Sequence, residues 1–271
     1  MASRRIMILA AAAVAGSAYF IFFKDRDDFL LPFSMAMIVL VIAYVFQHQI
    51  DQLMTRGVPQ QLDRAMFSML LNTAPHFAAM PDPQKLMVSD RMKRWVLRKE
   101  FINKNEQDAP EDVKYILAYY AVLLTIHQEK FLYETLDRVA FYHHPFLTPF
   151  HPDDVHLVEI EATDGTIIIS VPHLLKGHLE KGYYNLALHA MAEAYKYEYI
   201  HHPVKWPEDI WERLEEISAI SREKIEAYLG MKIMDPWPVA VHHQLMYKGV
   251  SIQEVLAVFP QFGSQKELAL D

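Results

Sequence analysis

Residues 164–193 read DGTIIISVPHLLKGHLEKGYYNLALHAMAE, and this stretch decides the fold. It opens with an Asp-Gly turn signal followed by the β-branched run Thr166–Val171, which predicts a strand. Further on, the segment Asn185–Glu193 carries apolar residues at helical spacing, which predicts a helix. The stretch therefore predicts a strand, a loop and a helix in succession.

The predicted helix carries His189 and Glu193, which are four residues apart. This spacing puts both side chains on one helical face, where they can approach the same metal ion. In hydrolytic zinc sites of this kind a glutamate follows the first histidine and takes a proton from the metal-bound water. Here that position is Ala190. Taken alone, the His-x-x-x-Glu pattern also fits a structural histidine beside a surface glutamate.

The rest of the chain mixes both kinds of secondary structure. Short strands are predicted at Arg138–Tyr142 and Val155–Glu161. Helical periodicity is predicted for residues 84–103, 111–129, 183–200, 207–229 and 238–257. The expected fold class is α+β, with a small sheet among helices.

Two apolar segments precede this domain. Residues 6–23 contain no charge, and residues 29–50 contain only a titratable His48. About 18 helical residues cross the hydrocarbon core of a bilayer, so we expect a hairpin of two transmembrane helices joined by the polar link 24–28. A signal peptide is the alternative interpretation of the first segment. The expected organisation is a hairpin at 1–50, a juxtamembrane linker at 51–83 and a domain at 84–271.

Charge limits the possible partners. Beyond residue 50 the chain carries 22 basic and 31 acidic residues, a net charge of −9, which disfavours nucleic acid. Arg4 and Arg5 before the first helix favour a cytoplasmic N-terminus, and hence a cytoplasmic domain. No phosphate-binding loop or dinucleotide fingerprint is present, and the absence of cysteine excludes disulfides and thiolate metal sites.

Several motifs occur in the order and spacing of a known family. They are Arg98–Phe101, the apolar run Leu117–Leu124, the strand Asp164–Ser170 and the run Asn185–His189. Over roughly residues 65–260 the chain resembles the Mlc titration factor A family of zinc-dependent peptidases. The resemblance implies a zincin-like fold, and the predicted hairpin would attach this domain to the inner membrane of a bacterium.

The resemblance also implies a metal site with changed ligands. The family pattern His-Glu-x-x-His-x-x-Asp corresponds to His189-Ala190-Met191-Ala192-Glu193-Ala194-Tyr195-Lys196 in this chain. The family's third ligand, a glutamate on a later helix, corresponds to His243. His189, Glu193 and His243 are therefore the candidate ligands, zinc is the possible metal, and no other cofactor is expected.

The missing base makes a non-catalytic role the first hypothesis, in which a membrane-tethered pseudopeptidase holds a partner within a membrane complex. By resemblance, an extended peptide would pair with the strand formed by Thr166, Ile167, Ile168, Ile169, Ser170 and Val171. An active zinc peptidase with a rearranged His-Glu-His site is the alternative, with Glu180 as a possible substitute base. A metal-sensing or metal-storing protein is the third hypothesis. The expected partners are the lipid bilayer, an integral membrane protein and a peptide segment.

Overall fold

The computed structural model describes residues 2–24, 26–46, 50, 60–104, 110–201, 204, 206–233 and 235–249. The chain divides into two compact units, Met1–Gln60 and Gln61–Asp271. Each unit has its own secondary structure and packing, and each is described separately below.

The first unit is a pair of apolar helices, α1 (Ala2–Lys24) and α2 (Leu30–Val45), joined by a short 3₁₀ turn at Asp27–Phe29. Residues Arg5–Lys24 and Asp27–Val45 are long and apolar enough to cross a membrane. Only 11% and 6% of their most apolar stretches are buried, whereas the core helix of a soluble protein is mostly buried. Length, composition and exposure together favour membrane-spanning helices. The last residues of the predicted second span, 47–49, lie outside the described part of the chain.

The second unit is α+β, as the sequence predicts. Its helices are α3 (Arg64–Thr73), α4 (Pro75–Ala79), α5 (Asp82–Arg98), α6 (Glu111–Leu124), α7 (Val171–Leu179), α8 (Leu186–Tyr199), α9 (Ile210–Ser218), α10 (Arg222–Leu229) and α11 (Trp237–His243). A π-helical turn at Gln244–Lys248 follows α11. The strands are β1 (Glu100–Asn103), β2 (Arg138–Tyr142), β3 (Val158–Glu161) and β4 (Thr166–Ser170).

The four strands form one sheet in the order β1-β2-β4-β3. Strands β1, β2 and β4 are parallel, and β3 pairs antiparallel with β4. The β3–β4 turn is tight because Gly165 adopts a φ of +62°, a conformation that glycine tolerates. One face of the sheet carries the fully buried Val139, Phe141, Ile167 and Ile169, which pack in the same hydrophobic core as α6 and α8.

Several expected elements differ from the structure, three of them in kind or continuity. The predicted helix at 84–103 ends at Arg98, and Glu100–Asn103 form β1 because they pair with β2. The predicted helical region 207–229 divides at Ala219, which adopts a left-handed conformation with φ +57°. The segment after β4, expected to be a loop, is the helix α7, with a proline in its first turn.

The segment expected to link the hairpin to the domain belongs largely to the globular unit. Met66 and Leu70 on α3 and Phe77 on α4 are buried in the same core as the sheet. These side chains supply apolar contacts that a linker would leave in water. The globular unit therefore begins near residue 61 and not at residue 84.

Candidate functional site

The helix α8 begins at Asn185, which fixes the position of the candidate site. Its side-chain oxygen accepts a hydrogen bond from Leu188 N at 3.0 Å, the usual N-cap contact. The residue is almost fully buried, at 1% exposure. Its two remaining donors, the backbone N–H and the carboxamide nitrogen, therefore need partners inside the protein, and each begins a chain of hydrogen bonds.

The first chain runs from α8 to α11 and α9. The backbone N–H of Asn185 donates to His242 Nε2 at 3.0 Å, and His242 Nδ1 lies 3.1 Å from His243 Nδ1. His243 Nε2 lies 3.0 Å from Ser218 Oγ, and Ser218 donates to the carbonyl of Leu214. A backbone N–H can only donate, so His242 Nε2 must be unprotonated. In the neutral ring the proton is then on Nδ1, which donates to His243.

This chain determines the chemistry available to His243. Its Nδ1 accepts from His242, so its own proton is on Nε2 and is donated to Ser218. Burial lowers the pKa of His243 to about 4 and that of His242 well below its usual value, so both rings are neutral at pH 7. A metal ligand needs a free lone pair on a ring nitrogen, and in this arrangement His243 has none.

The second chain runs from the side chain of Asn185 to α6, α7 and α3. Asn185 Nδ2 donates to the hydroxyl of Tyr120 at 2.6 Å, and that hydroxyl lies 3.0 Å from His178 Nδ1. His178 Nε2 lies 2.9 Å from Thr73 Oγ1, which itself donates to the carbonyl of Met69. Burial lowers the pKa of His178 to about 4, so this histidine is also neutral. Each group again donates to the next.

Tyr184 packs among the candidate ligands. Its hydroxyl lies 2.7 Å from His189 Nδ1, and its ring stacks on His242 with the centroids 3.9 Å apart. It also meets the ring of His243 edge-on, at 6.4 Å. Burial, with a contribution from His243, lowers the pKa of His189 to about 3. The histidine expected to be the first ligand is therefore a buried, neutral ring held by a tyrosine.

Glu193 lies one turn beyond His189 on the same helix, as predicted. Its carboxyl makes no hydrogen bond to the side chains that the structure describes. Burial raises its pKa to about 7, with further contributions from Asp235 and Glu159. The neighbouring Lys196 lowers the pKa, but it is itself paired with Asp235. Glu193 is thus a carboxyl group that changes charge near neutral pH.

These residues do not fit the three-ligand site expected from the sequence. His189 and Glu193 share one face of α8, but both nitrogens of His243 are engaged. Among the described residues no three His, Asp or Glu side chains converge as a metal site requires. Glu180, the possible substitute base, is an exposed residue just after α7.

The predicted peptide-pairing strand also differs from expectation. β4 pairs with β2 on one side and β3 on the other, so its backbone is already engaged on both edges and cannot accept a further strand. Val171 is not part of the strand and begins α7. In the described part of the chain the edges of the sheet are β1 and β3.

Sequence reasoning missed the residues that organise the site: Asn185, Tyr184, His178 and His242. The N-cap preference of asparagine before an apolar helical run was a usable signal for Asn185. The roles of the other three depend on contacts between distant elements, for which a single sequence gives no spacing rule.

Comparison with known proteins supports the resemblance inferred from the sequence. The family model described as glucose-regulated metallopeptidase M90 matches residues 46–194, more than half of the chain. No curated protein matches. No solved structure matches either. The match includes β1 to β4 and most of α8, with His189 and Glu193, and ends before α11. The chain belongs to the glucose-regulated metallopeptidase M90 family.

Proposed function

We propose that this chain is a membrane-anchored, catalytically silent member of its family, which holds a polypeptide partner within a membrane complex. The observation that carries this proposal is Ala190. It occupies the position that follows the first histidine, it is fully buried, and it has no group that can accept a proton. Positioned general bases contribute about 10²–10⁴-fold to hydrolysis, so their loss leaves a fold that can bind without cutting.

The engagement of His243 supports the same proposal. Recruiting this residue to a metal would break its bonds to His242 and Ser218 and leave buried polar groups unpaired. The alternative, a zinc peptidase with a rearranged site, retains two supporting observations: the ring of His189 has only its Nδ1 contact, and the carboxyl of Glu193 is unpaired among the described residues.

For the partner we propose pairing at β3 instead of β4. Ser170 N donates to Leu157 O, so by antiparallel alternation Glu159 and Glu161 point their backbone groups toward β4. Val158 and Ile160 then direct theirs to the free edge of the sheet. Strand addition at such an edge binds an extended segment through its main chain.

We further propose that the hairpin holds this surface at the cytoplasmic face of a bacterial inner membrane, beside an integral membrane protein. Two long apolar helices with little burial support the anchor. Arg4 and Arg5, in the first turns of α1 and ahead of its apolar stretch, support the orientation. A reporter fused after Asp271 tests this point, because its export would place the domain on the opposite side.

The test of catalytic silence is metal content and peptide hydrolysis of the detergent-purified chain, with His189→Ala as comparison. We expect zinc well below one per chain, the same in the variant, and no hydrolysis of a fluorogenic peptide mixture. Stoichiometric zinc that disappears in His189→Ala, together with hydrolysis, would establish the alternative.

The test of strand pairing is amide hydrogen exchange at Val158 and Ile160. The probe is an extended heptapeptide of alternating Val and Thr, and the control is the same peptide N-methylated at every residue, so that neither edge can donate a backbone hydrogen bond. We expect the probe to slow exchange at both amides and the control to leave it unchanged. Equal protection by both peptides, or none by either, would refute pairing at this edge.

A further inference from the structure

The second face of the sheet, turned away from α6 and α8, bears a groove that the proposed function does not use. Strand register places its floor residues. Ile102, Ala140 and Ile168 lie side by side on β1, β2 and β4, and Glu159 follows at the same level on β3. The loop residues Leu147, Thr148, Pro149 and Phe150 form one wall, and the enclosed space is about 350 Å³. Small-molecule sites have volumes of this order.

The two ends of the groove have opposite charge. Glu159, Glu161 and Asp164 line it on the side of β3. Lys104 and Arg138 line it on the side of β1 and β2. Arg138 forms ion pairs with Glu100 and Asp137, with its Nε 3.8 Å from a carboxylate oxygen of each. Lys104 is exposed and has no ion pair among the described residues. The middle of the groove is apolar, so hydrocarbon side chains separate the acidic end from the basic end.

The carboxyl of Glu159 is held in place at the acidic end. The residue is only 7% exposed, and its Oε2 contacts His156 Nε2 at 2.8 Å and the hydroxyl of Thr148 at 2.6 Å. Its Oε1 has no hydrogen bond to a described residue, and it is not among the fully buried polar atoms that lack a partner. Because Glu159 also lines the groove, this oxygen is open to water or to a donor group of a ligand there.

Apolar surface near the mouth is also exposed. Phe150 is 64% exposed and Leu147 52% exposed, both on the wall loop. The bridge between Phe146 and His156 anchors the start of this loop to the segment before β3. The loop thus presents apolar side chains beside a floor of the same character, which favours a ligand with a hydrophobic body.

From these features we propose that the groove binds a short apolar peptide with free termini. Its ammonium group lies at Glu159 and Glu161, and its carboxylate lies at Lys104. Three strand spacings separate β1 from β3, about 14 Å, which is the length of about four extended residues. The groove uses side chains on one face of the sheet, whereas the proposed strand pairing uses the backbone groups of Val158 and Ile160 at the free edge of β3, so the two proposals are tested separately.

The test is calorimetric titration of the full chain in nanodiscs with the tetrapeptide Ala-Leu-Ala-Leu. N-acetylated and C-amidated forms each remove one terminal charge. We expect Glu161→Gln to weaken binding of the free peptide about tenfold, the loss of one charge-assisted hydrogen bond, and to have no effect on the acetylated peptide. Lys104→Gln is expected to weaken binding of the free peptide by a similar factor and to have no effect on binding of the amidated peptide.

Crossed combinations provide the controls. Glu161→Gln with the amidated peptide, and Lys104→Gln with the acetylated one, should weaken binding additively because they act on opposite ends. Lys181→Gln and Glu216→Gln change exposed charges outside the groove and should leave binding unchanged. The proposal is overturned if the free tetrapeptide does not bind saturably, or if the variants weaken free and blocked peptides equally.

Discussion

Asn185 uses its backbone N–H, its carboxamide oxygen and its carboxamide nitrogen, and each contacts a different group. The oxygen caps α8, the backbone N–H donates to α11 through His242, and the nitrogen donates to Tyr120 on α6. The direction of both hydrogen-bond chains depends on this residue because it supplies the first donor of each. Its amide is therefore not equivalent to a carboxylate of the same shape.

We expect Asn185→Asp to destabilise the globular unit by about 2–3 kcal/mol, although aspartate is an equally good N-cap. The substitution replaces the donor to Tyr120 with an acceptor and buries a charge. Thermal or urea unfolding of the full chain in detergent measures the change. Asn72→Asp is the matched control, on an exposed position of α3, and should have little effect. An equal loss in both variants would contradict the assigned role.

The buried histidines predict sensitivity to acid. The folded-state pKa of His178 is about 4, whereas an unfolded histidine titrates near pH 6.5. Between these values the unfolded chain binds the extra proton, so stability is lost as pH falls through this window, by about 1.4 kcal/mol per pH unit for each such residue. We expect His178→Gln to reduce the slope of unfolding free energy against pH. His127→Gln, at an exposed position, should leave the slope unchanged.

Glu193 predicts a change of stability with pH that has the opposite sign to the change predicted for the buried histidines. Its folded-state pKa is raised to about 7, so the folded chain retains a proton that the unfolded chain releases above about pH 4.5. Stability from this group is therefore present at low pH and lost as pH rises through 7. We expect Glu193→Gln to stabilise the protein by about 1–2 kcal/mol at pH 8 and by much less at pH 4. If Glu193 holds a metal, the variant will instead unfold at lower temperature at pH 8.

At the scale of elements, one lysine fixes a loop against the end of α5. Lys99 is 5% exposed, and its ammonium donates to the carbonyls of Leu132, Tyr133 and Leu136 at 2.7, 2.6 and 2.5 Å. Burial lowers its pKa to about 8. These contacts hold the segment before β2 in place, and β2 in turn pairs with both β1 and β4.

Lys99→Met keeps most of the side-chain volume but leaves three carbonyls without their donor. We expect a loss of about 2–4 kcal/mol of unfolding free energy. Faster amide exchange in β1 and β2 than in α8 would show that the damage begins at this loop. Lys130→Met, on an exposed residue of the neighbouring turn, is the control. A variant as stable as the wild type would show that the three contacts contribute nothing.

Elements with a local signal were predictable, and elements defined by pairing were not. The turn at Asp164-Gly165 and the β-branched run after it gave β4 to within one residue. The strand β1 is four residues long and alternates too briefly to be recognised, so its existence depends on β2. The helix α7 has apolar residues at Val171, Leu174 and Leu175, but it is only nine residues long, and Val171 continues the β-branched run of the predicted strand.

At the scale of the whole molecule, the described core of the globular unit contains no residue of the hairpin. Its buried hydrophobic cluster begins at Met66, and every described member lies within Gln61–Asp271. We expect a chain that starts at Gln61 to be recovered in the soluble fraction and to unfold at the same temperature as the full chain. A chain that starts at Gln84 lacks α3 and α4 and should aggregate, because Met92 and Trp95 lose apolar partners. Equal solubility of the two would contradict this boundary.

The fold class and the family were available from the sequence because they depend on the order of short motifs along the chain. The internal geometry of the site could not be predicted from the sequence. Whether His243 turns toward a metal or toward Ser218 is decided by packing among α8, α9 and α11, which are separate elements along the chain. The same histidine in the same register permits both outcomes.

The hydrogen-bond chain through His243 also constrains how the protein can change during evolution. Glutamate at position 190 alone would bury a carboxyl at a fully buried position without a metal beside it, and histidine at 193 alone would still lack a third ligand. Replacing His243 first would remove the partners of His242 and Ser218 and cost stability. On the proposal that the site is catalytically silent, each single substitution toward a hydrolytic site is thus disfavoured until the others are present.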